Sequence, residues 1–342
     1  MRYQTLEFSC CYRARISRDS ITIKPFNLPD KTGTVREVRS PSLLQLEFLK
    51  PRYWLIWPII GLIRLVCLLP LRARWGLGHA LGAIAYLLAR KRRHIVKTNL
   101  ELCFPTLDRL EVASLVRRNF SSNGISIVET ALVWFSTPTS SNEVTDIEGL
   151  DILTRAVQEG RGVLLIGTHL STLDLCGAVL SLHQPFNVMY RRNKNKLLEA
   201  IMTRGRMRNF NAAIERSDVR QVVRRLRQGA VVWYGPDQDY GRKHSVFAPF
   251  FGVPAATVTA TARIIRMTKA EVVVFSHFRE ERSGRYLIRL SKLAESYPTD
   301  NEVTNCTIVN RAVEEAIIKD PAQYWWVHRR FKTRPPGVAR PY

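Results

Sequence analysis

The sequence predicts an α/β protein: a central mixed sheet flanked by helices, preceded by one N-terminal membrane helix. Three observations predict it. From about residue 108, short runs rich in Val, Ile and aromatic residues alternate with longer amphipathic stretches, the pattern of an α/β layer structure. Residues 53–71, YWLIWPIIGLIRLVCLLPL, form a strong apolar run. No acidic residue lies between Glu47 and Glu101, while Arg72, Arg74, Arg90, Lys91, Arg92, Arg93 and Lys97 follow that run.

Taken in order, residues 1–42 are mixed and polar, with Pro25, Pro29, Gly33 and Pro41, and are expected as a loosely ordered extension. No cleavable signal peptide is expected, because the first strong apolar run begins near residue 53. As one helix, 53–71 would be about 28 Å long, close to a bilayer core. Trp54 and Trp57 suit an interface. Arg64 is the objection, at about 2.5–3.5 kcal/mol mid-span, offset by the surrounding Leu and Ile. WGLGHALGAIAYLLA (75–89) is expected to lie in the interface. Residues 43–90 thus read as anchor and interfacial helices. The basic cluster places 91–342 as a cytoplasmic domain. A buried amphipathic helix beside a solvated basic face is the alternative.

Beyond the anchor, DRLEVASLVRRNF and GISIVETALVWF read as two helices, and LDILTRAVQEG as a third ending at Gly160. Then come strand GVLLIGT, a helix from about Ser171, strand FNVMY and a basic helix through KNKLLEAIMTRGRM. Ser217 is placed to cap a helix that stops before Gly229, and AVVWYG, AEVVVFSHF and RYLIRL read as further strands.

Composition narrows the function. The chain has 342 residues, 46% of them hydrophobic, which argues against global disorder. Its net charge of +23 points to anionic partners: nucleic acid, an anionic membrane face, or an acidic protein or substrate. None of the six cysteines forms a C-x-x-C pair, so neither a zinc site nor a disulfide framework is suggested.

The chemistry concentrates in GTHLSTLD, residues 167–174. The loop after a central strand is where open α/β sheets place ligands, and His169 lies there. A neutral histidine takes a proton from a hydroxyl near neutral pH, and Asp174 is placed to hold its tautomer. The spacing leaves a second reading open: Ser171-x-x-Asp174 starts a helix as a capping box and His169 is a core residue. Cys176 sits on an apolar helix face and reads as core. There is no G-x-S-x-G, H-E-x-x-H or Walker motif. Between Arg191 and Arg227 stand twelve Lys or Arg against three acids. Asp237, Gln238 and Asp239 follow a strand and would face the same pocket.

These residues, taken together, resemble the late lipid A acyltransferases of Gram-negative bacteria, most closely the lauroyl-transferring branch. The resemblance rests on PRYWLIW (51–57), NLELCFP (99–105), H-x4-D at His169–Asp174, and YR followed by Asn193 and Asn195. It continues through TRGRMR (203–208), PDQDYGRK (236–243), FAPFFGV (247–253), YPTD (297–300) and HRRFKTRP (328–335). It runs from about residue 50 to the C-terminus. It implies a glycerolipid acyltransferase-like fold, a single inner-membrane anchor and a cytoplasmic catalytic domain. It further implies transfer of a fatty acyl group from acyl carrier protein to the 3-hydroxyl of a primary acyl chain of Kdo2-lipid IVA. Anionic inner-membrane lipid is an expected partner; nucleic acid, cofactor and metal are not.

In that scheme His169 is the base and Asp174 its orienting carboxylate. Arg191 stabilises the oxyanion or grips a phosphate, and Asp237 and Asp239 hold that arginine or shape the acceptor site. Asn193, Arg204, Arg206, Gln238, Arg329 and Arg330 join the substrate-binding set. The rival readings are a sister enzyme with another acyl chain, a lysophospholipid acyltransferase, and a non-catalytic membrane protein binding anionic lipid.

Overall fold

The computed structural model describes residues 43, 45–136, 139–294 and 296–342. The expectation for residues 1–42 lies outside them. Short 3₁₀ turns at Leu46–Leu49 and Pro51–Tyr53 lead into α1 (Ile56–Val66), α2 (Leu71–Leu88), α3 (Arg90–Cys103), α4 (Arg109–Phe135) and the one-turn α5 (Thr139–Asn142). The sheet-forming part follows as β1 (Thr145–Glu148), α6 (Leu150–Gln158), β2 (Val163–Gly167), α7 (Leu173–His183) and β3 (Asn187–Tyr190). It continues with α8 (Lys196–Asn209), β4 (Ala212–Glu215), α9 (Val219–Arg227), β5 (Val231–Tyr234), β6 (Ser245–Phe250) and β7 (Val253–Val258). Last come α10 (Ala260–Thr268), β8 (Glu271–Glu280), β9 (Arg285–Lys292) and α11 (Glu302–Lys319).

Seven strands form one mixed sheet in the order β1-β9-β8-β2-β5-β3-β4, and β6 and β7 form a separate antiparallel hairpin. β8, β2, β5, β3 and β4 run parallel to one another, while β9, with β1 parallel to it, runs antiparallel to β8. Every residue of β2 is buried, which explains its unbroken apolar sequence: a central parallel strand is covered on both faces. After β2 the chain crosses over β5 to reach β3; after β5 it returns past β2 to β8. The crevice between the carboxyl ends of β2 and β5 is therefore a topological switch point.

The expected single helix over 53–71 is not formed. α1 has 11 residues, about 16 Å at 1.5 Å each, and Pro70 begins α2 at its N-cap. Proline has no N–H to donate and disfavours helical backbone in the residue before it, so the run divides there. Among the described residues no helix is long and apolar enough to cross a membrane. α1 buries Ile60 beside Leu197 and Ile201 of α8. Leu55, Ile59 and Leu62, spaced along one side, stay exposed. Arg64 stacks over the Phe135 ring at 5.5 Å.

The two helices expected between 108 and 135 are one. Asp108 caps α4 in a full capping box with Glu111. The buried polar residues of α4 find partners across the core. Asn119 donates to the carbonyls of Ala322 and Tyr324, at 2.8 and 2.7 Å, and Ser122 meets Ser171 at 2.7 Å. Gly124 lies against the backbone of Gly78 and Gly82 on α2, where a Cβ has no room. α9 is capped by Asp218, whose side chain accepts from the Gln221 N–H at 3.0 Å, rather than by Ser217.

Candidate active site

The register of β2 and β5 builds the site. Ile166 pairs with Tyr234, so the loops that follow leave side by side. His169 and Asp237, each three residues further on, meet. His169 Nδ1 lies 2.5 Å from Asp237 Oδ1, and the His169 backbone N–H donates to Asp237 Oδ2 at 2.9 Å. Both carboxylate oxygens thus serve one residue. The Asp237 side chain is fully buried, while that of His169 is 24% exposed.

Two glycines and a tryptophan shape the space around the ring. A Cβ on Gly235 would strike the imidazole, so only glycine lets this backbone pass. Gly167 makes the same concession to Trp233, whose ring stands edge-on to His169 at 5.7 Å. The C-terminal segment clamps the loop backbone: Trp325 N–H donates to the His169 carbonyl at 2.9 Å, and Ser171 N–H to the Gln323 carbonyl at 2.7 Å.

Burial disfavours a charged imidazole here. Asp237, by charge and hydrogen bond, outweighs that and holds the His169 pKa above the ordinary histidine value, with Asp174 acting in the same direction. Burial likewise opposes ionisation of Asp237, but His169 and its two hydrogen bonds hold that pKa below the usual carboxylate range. With Nδ1–H donated to Asp237, Nε2 carries the free lone pair.

The expectation that Asp174 orients His169 is corrected. Asp174 sits in the first turn of α7, half-buried, and its Oδ2 accepts from Thr130 Oγ1 at 2.7 Å. The capping-box reading also fails, because the α7 N-cap is Thr172, without a side-chain cap bond, and Ser171 bonds Ser122 instead. Thr172 hydrogen-bonds the fully buried His277 at 2.7 Å.

α4 backs the loop with a buried ion pair. Arg279 Nε and Nη2 grip Glu129 at 2.8 and 2.6 Å, Tyr286 donates to the same carboxylate at 2.7 Å, and Arg279 Nη1 reaches Ser122 at 3.2 Å. Ser122 joins this network to Ser171, and the adjoining Thr130 joins α4 to Asp174.

His169 and Asp174 open onto a cavity of about 600 Å³ whose walls include Leu173, Val188, Met202 and Phe275. Of the other expected residues, Arg191, Arg206 and Gln238 also line it. Arg206 stacks over Tyr190 at 4.9 Å. Arg216, which sequence reasoning missed, joins them and stands 5.7 Å over Tyr240.

The remaining expected residues do other work. Asn193 closes the turn before α8, accepting from Asn195 N–H at 2.9 Å and donating its own N–H to Glu199 at 2.7 Å. Asp239 holds the C-terminal tail through Thr333 N–H and Oγ1, at 2.8 and 3.0 Å, and does not reach Arg191. Arg330, expected to bind substrate, is 1% exposed. It donates to Ala256 O and Thr257 Oγ1 at 2.8 and 3.0 Å, and its guanidinium lies over Phe250 at 4.8 Å. Arg204 and Arg329 are exposed and lie outside the cavity lining.

Residues 44–333 match the family described as bacterial lipid A biosynthesis acyltransferase. The chain is 41% identical over 297 residues to the lipid A biosynthesis palmitoleoyltransferase of Escherichia coli K12, covering 86% of this chain and 97% of that protein. It is 38% identical over 295 residues to the lauroyltransferase of the same organism, covering 86% and 96%. To that organism's myristoyltransferase it is 26% identical over 298 residues, covering 86% and 92%. The chain, a transferase, belongs to the bacterial lipid A biosynthesis acyltransferases.

Proposed function

We propose that the protein transfers a fatty acyl group, laurate, from acyl carrier protein to the 3-hydroxyl of a primary acyl chain of Kdo2-lipid IVA. The observation that carries this is the His169–Asp237 pair at the mouth of an apolar-walled cavity. His169 Nε2 takes the hydroxyl proton, and the hydroxyl oxygen attacks the thioester carbonyl carbon. A C–O bond forms, a tetrahedral oxyanion collapses, and the C–S bond breaks. The departing thiolate takes the proton back from the imidazolium. General-base help of this kind is worth about 10²–10⁴ in rate.

Asp237 fixes the tautomer and stabilises the imidazolium. Arg191 at the mouth stabilises the oxyanion or grips a phosphate, with Arg206 and Arg216 adding positive charge for the anionic acceptor. The net charge of +23 favours both an acidic carrier protein and a phosphorylated lipid. The exposed Leu55 at the N-cap of α1, Ile59 and Leu62 within it, and Leu87 and Leu88 at the end of α2 support embedding in the inner-membrane interface, and the basic residues Arg90, Lys91, Arg92, Arg93 and Lys97 favour its cytoplasmic face. The lauroyl assignment rests on the motif resemblance. The 41% identity to a palmitoleoyltransferase supports a 16-carbon chain as the second reading.

Purified protein in detergent, given Kdo2-lipid IVA and acyl carrier protein charged with chains of different length, is the test. One acyl mass gain by mass spectrometry, absent with His169→Ala, is expected. No gain with any donor, while lipid binding persists, would refute the reading.

A further inference from the structure

The topology fixes the depth of the cavity beneath His169. β2 to β5 are parallel, so His169, Arg191 and Gly235, at carboxyl ends of strands, mark its mouth. Phe186 directly precedes β3 and Phe210 stands two residues before β4, at the opposite edge of the sheet. Both rings line the cavity, with centroids 5.1 Å apart.

The wall between mouth and floor is α7, which presents Leu173, Asp174 and Gly177. Gly177 is one turn below Leu173. A Cβ placed on it would lie 3.6 Å from the Phe210 ring and 4.0 Å from that of Phe186. The missing side chain therefore leaves room at the floor.

Between Arg191 at the mouth and Phe186 at the floor runs β3, about 13 Å at 3.3 Å per residue, and its Val188, Met189 and Tyr190 line the cavity. An extended alkyl chain, with bonds of about 1.52 Å and angles near 111°, advances about 1.25 Å per carbon. A strand of that length runs alongside about ten carbons of an extended chain. A space of about 600 Å³ is that of a single small ligand, one chain rather than a lipid carrying several.

We propose that Gly177 and Phe210 set the length of the transferred acyl chain: Gly177 keeps the floor open and Phe210 closes it. The inference rests on the acyl transfer proposed for this site, and it makes the cavity the donor-chain subsite.

The test measures kcat/KM for donors of 10, 12, 14 and 16 carbons. Gly177→Leu is expected to move the preference to shorter chains and Phe210→Ala to longer ones. Each should change the ratio between donors two carbons apart by at least about tenfold, since one methylene in a fitted pocket is worth about 10–200-fold. The acceptor KM should not move. If Gly177→Leu loses its cooperative melt, Gly177→Ala replaces it: its Cβ meets Phe210 at ordinary contact distance, and the longest accepted donor should be lost. Active, folded variants with an unchanged donor profile would overturn the proposal, as would a change confined to the acceptor KM. A wild-type enzyme inert toward every donor would instead sink the acyl-transfer reading beneath it.

Discussion

Asp237→Asn separates the geometry from the sequence motif. Asp237 gives one oxygen to the His169 backbone N–H and the other to Nδ1. The backbone N–H is always a donor. An asparagine must therefore turn its oxygen to it and its NH₂ to Nδ1. Nδ1 is then forced to accept, the proton moves to Nε2, and the neutral ring has no lone pair facing the hydroxyl. The same tautomer error in a serine-protease triad lowers kcat by about 10⁴. That is about 5.4 kcal/mol of transition-state stabilisation at 1.36 kcal/mol per decade. KM should stay near wild type, because the buried Asp237 side chain does not line the cavity.

Asp174→Asn is the paired control. Its oxygen still accepts from Thr130, the His169 tautomer is untouched, and only a nearby charge is lost. Its loss of kcat should fall short of that of Asp237→Asn by at least about tenfold. Initial rates of acyl transfer at saturating acceptor, by mass spectrometry, measure both, with melting curves to confirm the fold. A kcat for Asp237→Asn within tenfold of wild type, with Asp174→Asn the more damaged, would refute the reasoning.

Three further outcomes are expected. His169 works neutral and its pKa is raised, so kcat/KM should climb with pH to a plateau, with a midpoint above 6.5; a pH profile checks this. Glu129→Gln leaves the fully buried Arg279 charge without its partner and should destabilise the protein by about 3–5 kcal/mol, seen in the denaturation midpoint in detergent. Burial lowers the His277 pKa to about 3, so only the unfolded chain takes up its proton as pH falls below 6.5. Stability is then lost with acid at about 1.4 kcal/mol per pH unit, about 2 kcal/mol between pH 6.5 and 5. The raised His169 pKa acts in the opposite sense, and above 6.5: its contribution is complete below that pH and is lost as pH rises through the folded-state pKa. His277→Gln should flatten the slope between pH 6.5 and 5.

Much of the sheet is legible from local pattern. β2, β5 and β8 are apolar runs, and burial on both faces demands such runs; β3 is a shorter, partly buried stretch, and β9 reads by alternation of buried and half-buried residues. The strands that pattern misses are edges and hairpins. β1 (TDIE) alternates half-buried and exposed residues, and β4 (AAIE) is four residues beside a long basic helix. β6 and β7 carry Pro249 and Pro254 opposite each other, and proline reads as a strand breaker away from edges. α4 looked like two helices because Ser121, Ser122 and Asn123 are polar, yet Ser122 faces a buried serine across the core. A buried polar residue with a distant partner carries no local signal.

The same limit governs the site. H-x4-D is a pattern along one segment, and it finds His169 because a histidine after a buried strand is locally visible. It then assigns the partner by proximity in sequence. Positions i and i+5 at a strand-to-helix junction diverge as α7 turns away, and Asp174 is drawn to Thr130. The carboxylate that reaches Nδ1 lies 68 residues further on, and only the β2–β5 register brings it there. Arg330 shows the converse. A basic tail suggests anion binding, but this guanidinium is spent on a backbone carbonyl, a hydroxyl and an aromatic face inside the core. Charge along the chain says how much positive potential the enzyme has; the packing of individual arginines decides where it is displayed. The guanidinium groups displayed in the cavity lining are therefore those of Arg191, Arg206 and Arg216, and not that of Arg330.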